Sequence, residues 1–278
     1  MLILDEVVPV EVVRKFRDLA VRHLGLDLDE GLDPVIAARI TKRLSELQLS
    51  LHSYVARLQQ DTTGDEIVSL WDLVRPRPAR FFAHWPDCRR LHARMCNWLE
   101  QGGRRFRLWS AGCGSGEEAF TMALVVRNAV DVTGVDRHAI DLKILATDIS
   151  SLRIGAGKRG LFAGPQVWSV PEGLRRRHFN ETDAGFQISD EIHERVVFRR
   201  LNLSTPPFPM TGKMDAIFCE EGLRNLAPPA QRRAVRAARS LMTEQGLLRT
   251  GLAEEFAQFD DEAADTFSPG GSGSPTYC

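Results

Sequence analysis

Apolar residues recur at helical spacing from Val12 to His23, and again at Ile36, Ile40, Leu44 and Leu47. Two amphipathic helices are expected there, each with one face toward a core. Asp33-Pro34 marks the start of the second, with an acid as N-cap and proline at the first helical position. Leu51 to Gln59 and Glu66 to Leu73 read as two further short helices, so residues 1 to about 85 are expected to be all-helical. RPRPARFF (Arg75 to Phe82) then places two prolines in four residues, which forbids a regular helix and suggests a linker. Pro86 to Glu100 is a helix leading out of it.

From residue 104 the pattern alternates. Strands are expected at 106–110, 143–147, 195–200, 214–219 and 246–250, and helices at 117–128, 150–159 and 229–242. That alternation means a parallel sheet with helices on both faces, an α/β class. The interval 161–198 breaks the rhythm with a helical piece (Pro171 to Phe179) and a polar, turn-rich run (Asn180 to Glu194). It reads as an insertion of short antiparallel strands. The stretch from Ser268, SPGGSGSPTYC, is low in complexity and expected to be disordered.

Chemistry enters at FRLWSAGCGSGEEAFTMAL (Phe106 to Leu124). A short apolar strand runs into a turn with Gly112, Gly114 and Gly116, and Glu117 and Glu118 open the next helix. Glycines there allow positive φ and close approach of the backbone to a ligand. The helix N-terminus presents free N–H groups to an anionic part of it. The same pattern is also an ordinary tight strand-to-helix turn. KILATDIS (Lys143 to Ser150) adds a second apolar strand ending in Asp148, where an acid can hold a ribose diol. Asp148 could equally cap the helix that follows. Together the two segments point to an adenosine-type cofactor.

Bulk properties narrow the class. With 278 residues, 43% hydrophobic and 26% charged, the chain suits one large or two modest soluble domains. A net charge of −1 gives no global field favouring nucleic acid or a membrane surface. The five cysteines (Cys88, Cys96, Cys113, Cys219, Cys278) show no CxxC pair and no metal-ligand spacing, so no metal site is expected and Cys113 and Cys219 read as buried free thiols. MLILDEVV turns acidic at once and no apolar run reaches membrane-spanning length, so a cytoplasmic location is expected. Arg39, Lys42 and Arg43 fall beside the apolar line of the second helix. They read either as a solvated face or as a docking stripe for an acidic helical partner.

Four segments in order, WSAGCGSGEE (Trp109 to Glu118), ATDIS (Ala146 to Ser150), LNL (Leu201 to Leu203) and DAIFC (Asp215 to Cys219), make the chain resemble the CheR-type chemotaxis-receptor glutamate methyltransferases from about residue 10 to about 256. The resemblance implies a helical domain (1–75), a linker (76–85) and a Rossmann-like S-adenosylmethionine (SAM) methyltransferase domain (86–267), with 161–198 as an inserted β-subdomain and 268–278 as a tail. It implies a cofactor set of Gly112, Gly114, Gly116, Glu118, Asp148, Asn202 and Leu203, with Glu220 and Glu221 alongside, for SAM or S-adenosylhomocysteine. Glu118 would accept from the cofactor's ammonium, Asp148 from both ribose hydroxyls, and Asn202 would pair with the adenine edge. The implied partner is a protein substrate or signalling partner, such as an acidic helical receptor region.

The chain also departs from that family. Its linker motif NxTxFFR is met by Arg77, Ala79 and Ala83 around Phe81-Phe82, so the family arginine is Ala83. CRNVxIYF is met by Cys219 to Leu226, so its Arg-Asn pair is Glu220-Glu221 and its tyrosine is Asn225. GHSENF is met by Gly251 to Phe256. Losing the arginine removes a bidentate holder for a carboxylate, and two added acids place like charge where an acceptor glutamate would sit. Two functions are therefore carried forward. One is a SAM-dependent methyltransferase acting on a protein carboxylate or an altered substrate in a chemosensory-type pathway. The other is a pseudoenzyme that binds SAM or S-adenosylhomocysteine as a sensing or docking module. A nicotinamide dehydrogenase shares the glycine turn and acid, but lacks support from the missing third glycine at the expected spacing and from the GEE continuation.

Overall fold

The computed structural model describes residues 8–74 and 80–252. Arg77, Ala79 and the segment from Ala253 through the low-complexity tail lie outside the described residues.

Four helices come first: α1 (Val10–Leu24), α2 (Asp33–Leu47), α3 (Leu51–Gln60) and α4 (Asp65–Val74). Their apolar stripes meet as the spacing requires, with Phe16, Ile36, Ile40 and Tyr54 removed from solvent. Asp33 is not a cap. A 3₁₀ turn (Glu30–Leu32), itself capped by Asp29 through the Gly31 amide at 2.6 Å, runs straight into α2 and takes that role.

The α/β region opens with α5 (Trp85–Glu100), β1 (Arg105–Ala111), α6 (Glu117–Thr133), β2 (Asp141–Asp148) and α7 (Ser151–Arg159). Helix α6 continues five residues past its expected end because Val130 still packs in the core, and it stops at Gly134 in the left-handed conformation. The insertion holds β3 (Leu161–Phe162), α8 (Gly164–Val167), α9 (Glu172–His178), β4 (Phe179–Thr182), β5 (Gly185–Ile188) and α10 (Asp190–His193). Its strands form an antiparallel sheet of order β3-β5-β4. Then follow β6 (Val196–Arg200), β7 (Met214–Phe218), α11 (Glu220–Leu223), α12 (Pro228–Ser240) and β8 (Met242–Arg249). Strand β8 starts four residues earlier than its hydrophobicity suggests, since Met242 already pairs with Met214 and the polar Thr243 to Gln245 fall in an irregularity before pairing resumes at Leu247.

The main sheet has the order β6-β2-β1-β7-β8 with every pairing parallel. Order reverses between β1 and β7, and in such open sheets ligands bind outside the carboxyl ends of the strands at that reversal. Alternation along β1 sorts its side chains to two cores. Phe106 and Leu108 join α5, α6 and the insertion, while Trp109 and Ala111 join the N-terminal helices and α12. The N-terminal helices therefore share a core with one face of the sheet. Polar links reinforce this: the Asn202 amide donates to the His23 carbonyl at 2.9 Å, and Arg153 and Ser150 both bond Asp72 on α4.

Candidate active site

Carboxyl ends of β1, β2 and β7 converge on one cleft. The turn after β1 is fixed from below: the amides of Gly112 and Cys113 donate to the Thr147 carbonyl at 2.7 and 2.9 Å, and the Gly114 amide donates to Asp148 Oδ2 at 3.0 Å. Asp148 Oδ1 accepts from the Ser150 amide at 3.0 Å. The cap of α7 is Ser150, which accepts from the Arg153 amide, so Asp148 is not the N-cap. Asp148 is buried and each of its oxygens holds one loop in register.

Glycine at 112 answers a need within the chain. It sits at φ +89°, and a Cβ there would lie 2.3 Å from the Gly222 Cα. A Cβ on Gly222 would in turn lie 2.4 Å from the Ala111 carbonyl oxygen. The turns after β1 and β7 thus interlock backbone to backbone, and Gly222 is a requirement the sequence reading did not single out.

Above this floor lies a cavity of about 1050 Å³. Gly112, Gly114, Glu118, Glu221 and Asn225 line it together with Ala83 and His84. A recess of about 50 Å³ adjoins it, sharing Gly112, Glu221 and Asn225 and lined further by Asp148, Asn202 and Leu203. The structure therefore gathers the sequence-expected residues Gly112, Gly114, Glu118, Asp148, Asn202, Leu203 and Glu221 around two adjoining spaces. Gly116 lies under the cavity as the residue before α6, packed against Phe198, and Glu220, the first residue of α11, is not among the residues that line either space.

Glu118 is the titratable group at the floor. It accepts from the Ser110 hydroxyl at 2.6 Å. Burial pushes its carboxyl up to about 7; Ser110 and Arg249 pull against this, while Glu221 and Glu220 add to it. Its neighbour Glu117 is turned away from the cleft, accepts from Gln166 of the insertion at 2.8 Å, and is also raised by burial.

Three expectations need correction. Glu220 and Glu221 do not present unopposed like charge. Arg249, at the end of β8, bonds both Glu220 and Asp87, and Arg224 bonds Glu220 at 3.0 Å and Glu221 at 2.7 Å. Arg249 is 12% exposed and stands 6.0 Å from the centroid of the Phe218 ring. Arg249 was missed because it lies outside the segments set against the family, and Arg224, within Cys219 to Leu226, was passed over although it stands three and four positions from the two acids it pairs with. His84, Glu220 and Glu221 bring possible ligand atoms within 4.8 Å of one another, but both carboxylates already belong to this guanidinium network. Second, the Asn202 side chain is engaged within the chain. Its Nδ2 donates to the His23 carbonyl, and its Oδ1 accepts from the Ser204 amide and hydroxyl at 2.9 and 2.8 Å.

Third, Arg39, Lys42 and Arg43 form no common exposed stripe. Arg43 reaches inward to Glu66 with bonds of 2.8 and 3.1 Å, and Lys42 faces Glu46 at 3.8 Å. Arg57 and the Tyr54 hydroxyl complete the ring around Glu66, which is 5% exposed. The cause is the side of α2 on which position 43 falls, opposite α4, which periodicity alone does not reveal. Cys113 and Cys219 are buried free thiols as expected, and Cys88 and Cys96 are also free.

A family model described as CheR methyltransferase, SAM binding domain, matches residues 79–269. The chain is 27% identical over 204 residues to a chemotaxis protein methyltransferase of Borreliella burgdorferi, covering 71% of each. It is 26% identical over 253 residues to chemotaxis protein methyltransferase 2 of Pseudomonas aeruginosa, covering 88% of this chain and 87% of that one. An uncharacterized 104.1 kDa protein of Rhodobacter capsulatus is 31% identical over 232 residues, covering 82% of this chain but only 24% of its own length.

Proposed function

The chain belongs to the CheR methyltransferase family, and from that premise we propose that it binds SAM in the cleft between β1 and β7 and transfers the methyl group to a protein carboxylate or an altered acceptor in a chemosensory-type pathway. The observation that carries the reading is Glu118. A carboxyl at the cleft floor, with one hydroxyl donor and a proton affinity that burial raises despite Arg249 nearby, makes no ion pair among the described residues, and an incoming ammonium would supply one.

When bound, the cofactor supplies an electrophilic methyl group on a positively charged sulfonium. The chain's residues do the rest. Glu118, aimed by Ser110, holds the amino-acid end. Asp148 keeps the Gly112–Gly114 turn and the α7 cap in place and, lining the recess, is the acceptor we assign to the ribose hydroxyls. Leu203, with Asn202 as a brace to α1 rather than a pairing group, walls the adenosine end. A carboxylate acceptor needs no base, because it is already ionised; it needs alignment with the methyl group and a cation to hold it. Ala83 cannot provide that cation. Arg80, exposed and lining the cleft, is the guanidinium we assign to it.

One observation favours the second reading, a cofactor-binding module without turnover. Arg224 and Arg249, the other guanidinium groups near Asn225, are already neutralised by Glu220 and Glu221. Tritiated SAM with lysate proteins separates the two readings. Base-labile label released as methanol marks carboxyl methylation; base-stable label marks another acceptor. Saturable binding with no incorporation marks the module.

A further inference from the structure

Next to the cofactor cleft is a second cavity, of about 290 Å³, that the roles above leave unused. One wall is Phe82, Trp85 and Val125; the other is Pro171 and Leu174 of the inserted lobe. Phe82, Cys88 and Val125 also line the cleft, so the two spaces adjoin across these side chains.

The junction is built with strain. Phe82 holds φ +52°, a left-handed conformation that a bulky residue rarely adopts. Its amide is anchored to the Thr121 hydroxyl at 3.1 Å, which donates in turn to the Glu117 carbonyl at 2.7 Å. Phe81 before it is locked edge-on against Phe162 and Phe179, at centroid distances of 4.9 and 5.4 Å. That arrangement turns the Phe82 ring toward Trp85, 5.4 Å away, as the near wall of the pocket. Ala83 ends at Cβ, so no side-chain arm from that position crosses the passage.

The walls are mostly apolar, and the charged groups among the lining residues, Arg89 and Glu172, are exposed, with Glu172 paired to Arg176 at 2.5 Å. Cys88 is buried, and burial pushes its thiol up to about 12, so it stays neutral. The polar edge is His92 Nε2 against Asn128 Oδ1 at 3.0 Å, while Arg89 lies exposed at the rim. Pockets with aromatic walls and few polar groups take ring-sized apolar groups and reject bare charges.

We propose that this cavity is an acceptor subsite, taking an aromatic, uncharged group of the substrate whose reacting atom enters the cofactor cleft past Phe82. The assignment rests on the methyltransferase reading for its role, though not for the existence of the pocket. The substrate class is thereby narrowed to acceptors that carry an aromatic ring beside the methylated atom, as a side chain or as a small molecule.

The test uses the full chain with labelled methyl groups, titrated with indole and, separately, with S-adenosylhomocysteine. Indole is expected to shift the Leu174 and Val125 methyl resonances saturably, with a dissociation constant of about 1 mM or tighter. Free glutamate at the same concentrations should leave the Leu174 resonances in place. Leu174→Trp, which fills the pocket from the inserted lobe, should weaken indole at least about tenfold and leave S-adenosylhomocysteine affinity within about twofold. No indole shift up to about 10 mM, or shifts that spare Leu174, would overturn the subsite. So would a folded Leu174→Trp protein with unchanged indole affinity; if that variant does not fold, the wild-type shift map decides alone. S-adenosylhomocysteine binding without indole binding defeats this inference only. Indole binding without S-adenosylhomocysteine binding defeats the cofactor reading and leaves a bare aromatic pocket.

Discussion

The Ser110 hydroxyl donates to Glu118 Oε1 at 2.6 Å, across the turn that joins β1 to α6. It is a single neutral hydrogen bond to a carboxyl that burial drives toward a proton affinity of about 7. Ser110 orients the group without neutralising it. An ammonium arriving from the cleft would find a carboxyl already aimed, and would lower its proton affinity on binding.

That raised value has a sign. The native protein holds the Glu118 proton more tightly than the unfolded chain, so this group contributes nothing adverse below about pH 4.5 and costs stability as pH rises toward and through about 7. Glu117, also raised, acts in the same direction. Ligand-free protein should therefore be less stable at pH 8 than at pH 6 through these groups. Glu118→Gln should remove about 1–3 kcal/mol of that loss, discounted for the opening of the side chain to the cleft. Urea titrations of both proteins across this range measure the difference.

Asp148 holds two loops by two amides, at 3.0 Å each. Asp148→Ala leaves the Gly114 and Ser150 amides without those acceptors. We expect cofactor binding to weaken by about 1–3 kcal/mol, with a smaller loss for Asp148→Asn, which retains one acceptor. Thermal shift with S-adenosylhomocysteine reports it.

Arg43 and Arg39 should part company on reversal. Glu66 sits buried among Arg43, Arg57 and Tyr54. Burial opposes its charge, and Arg43 and Arg57 still hold its carboxyl below the usual range. Its contribution is therefore present at neutral pH and lost as pH falls below about 4.5. Glu66→Ala should cost about 3–5 kcal/mol, and Arg43→Glu at least as much, because each strands buried charge. Arg39→Glu should change stability by less than about 0.5 kcal/mol. Denaturant midpoints distinguish the three.

The fold and the residues that line the floor of the cleft were legible because their signals are local. Alternating strands and helices, the 112–116 glycines and Asp148 at a strand end each declare themselves within a few residues. What the sequence hid is long-range pairing. Arg249 lies 29 positions from Glu220 and more than 160 from Asp87, so nothing local announces that β8 returns a guanidinium beside the acids of α11. The same holds for Asn202 and the His23 carbonyl, 179 positions apart. Gly222 was hidden for a different reason: its need comes from a backbone neighbour and not from its own turn.

The Arg249 pairings make a prediction with a pH signature. Arg249→Met strips Glu220 and Asp87 of a partner and removes a positive group that restrains Glu118. Cofactor affinity at pH 7 should fall and recover at pH 8.5, where Glu118 ionises regardless. Adding Glu220→Gln should return part of both stability and affinity, a coupling of about 0.5–3 kcal/mol in a double-mutant cycle. A purely structural role for Arg249 would give a loss independent of pH.

The central claim is that the cleft between β1 and β7 holds SAM by its amino-acid end at Glu118. Calorimetric titration with SAM and with S-adenosylhomocysteine, at pH 6.5 in buffers of different ionisation enthalpy, tests it most directly. The account predicts saturable binding of at least one form with release of a fraction of a proton from Glu118, and loss of that proton release in Glu118→Gln. No heat and no thermal shift with either form at millimolar concentration would contradict it.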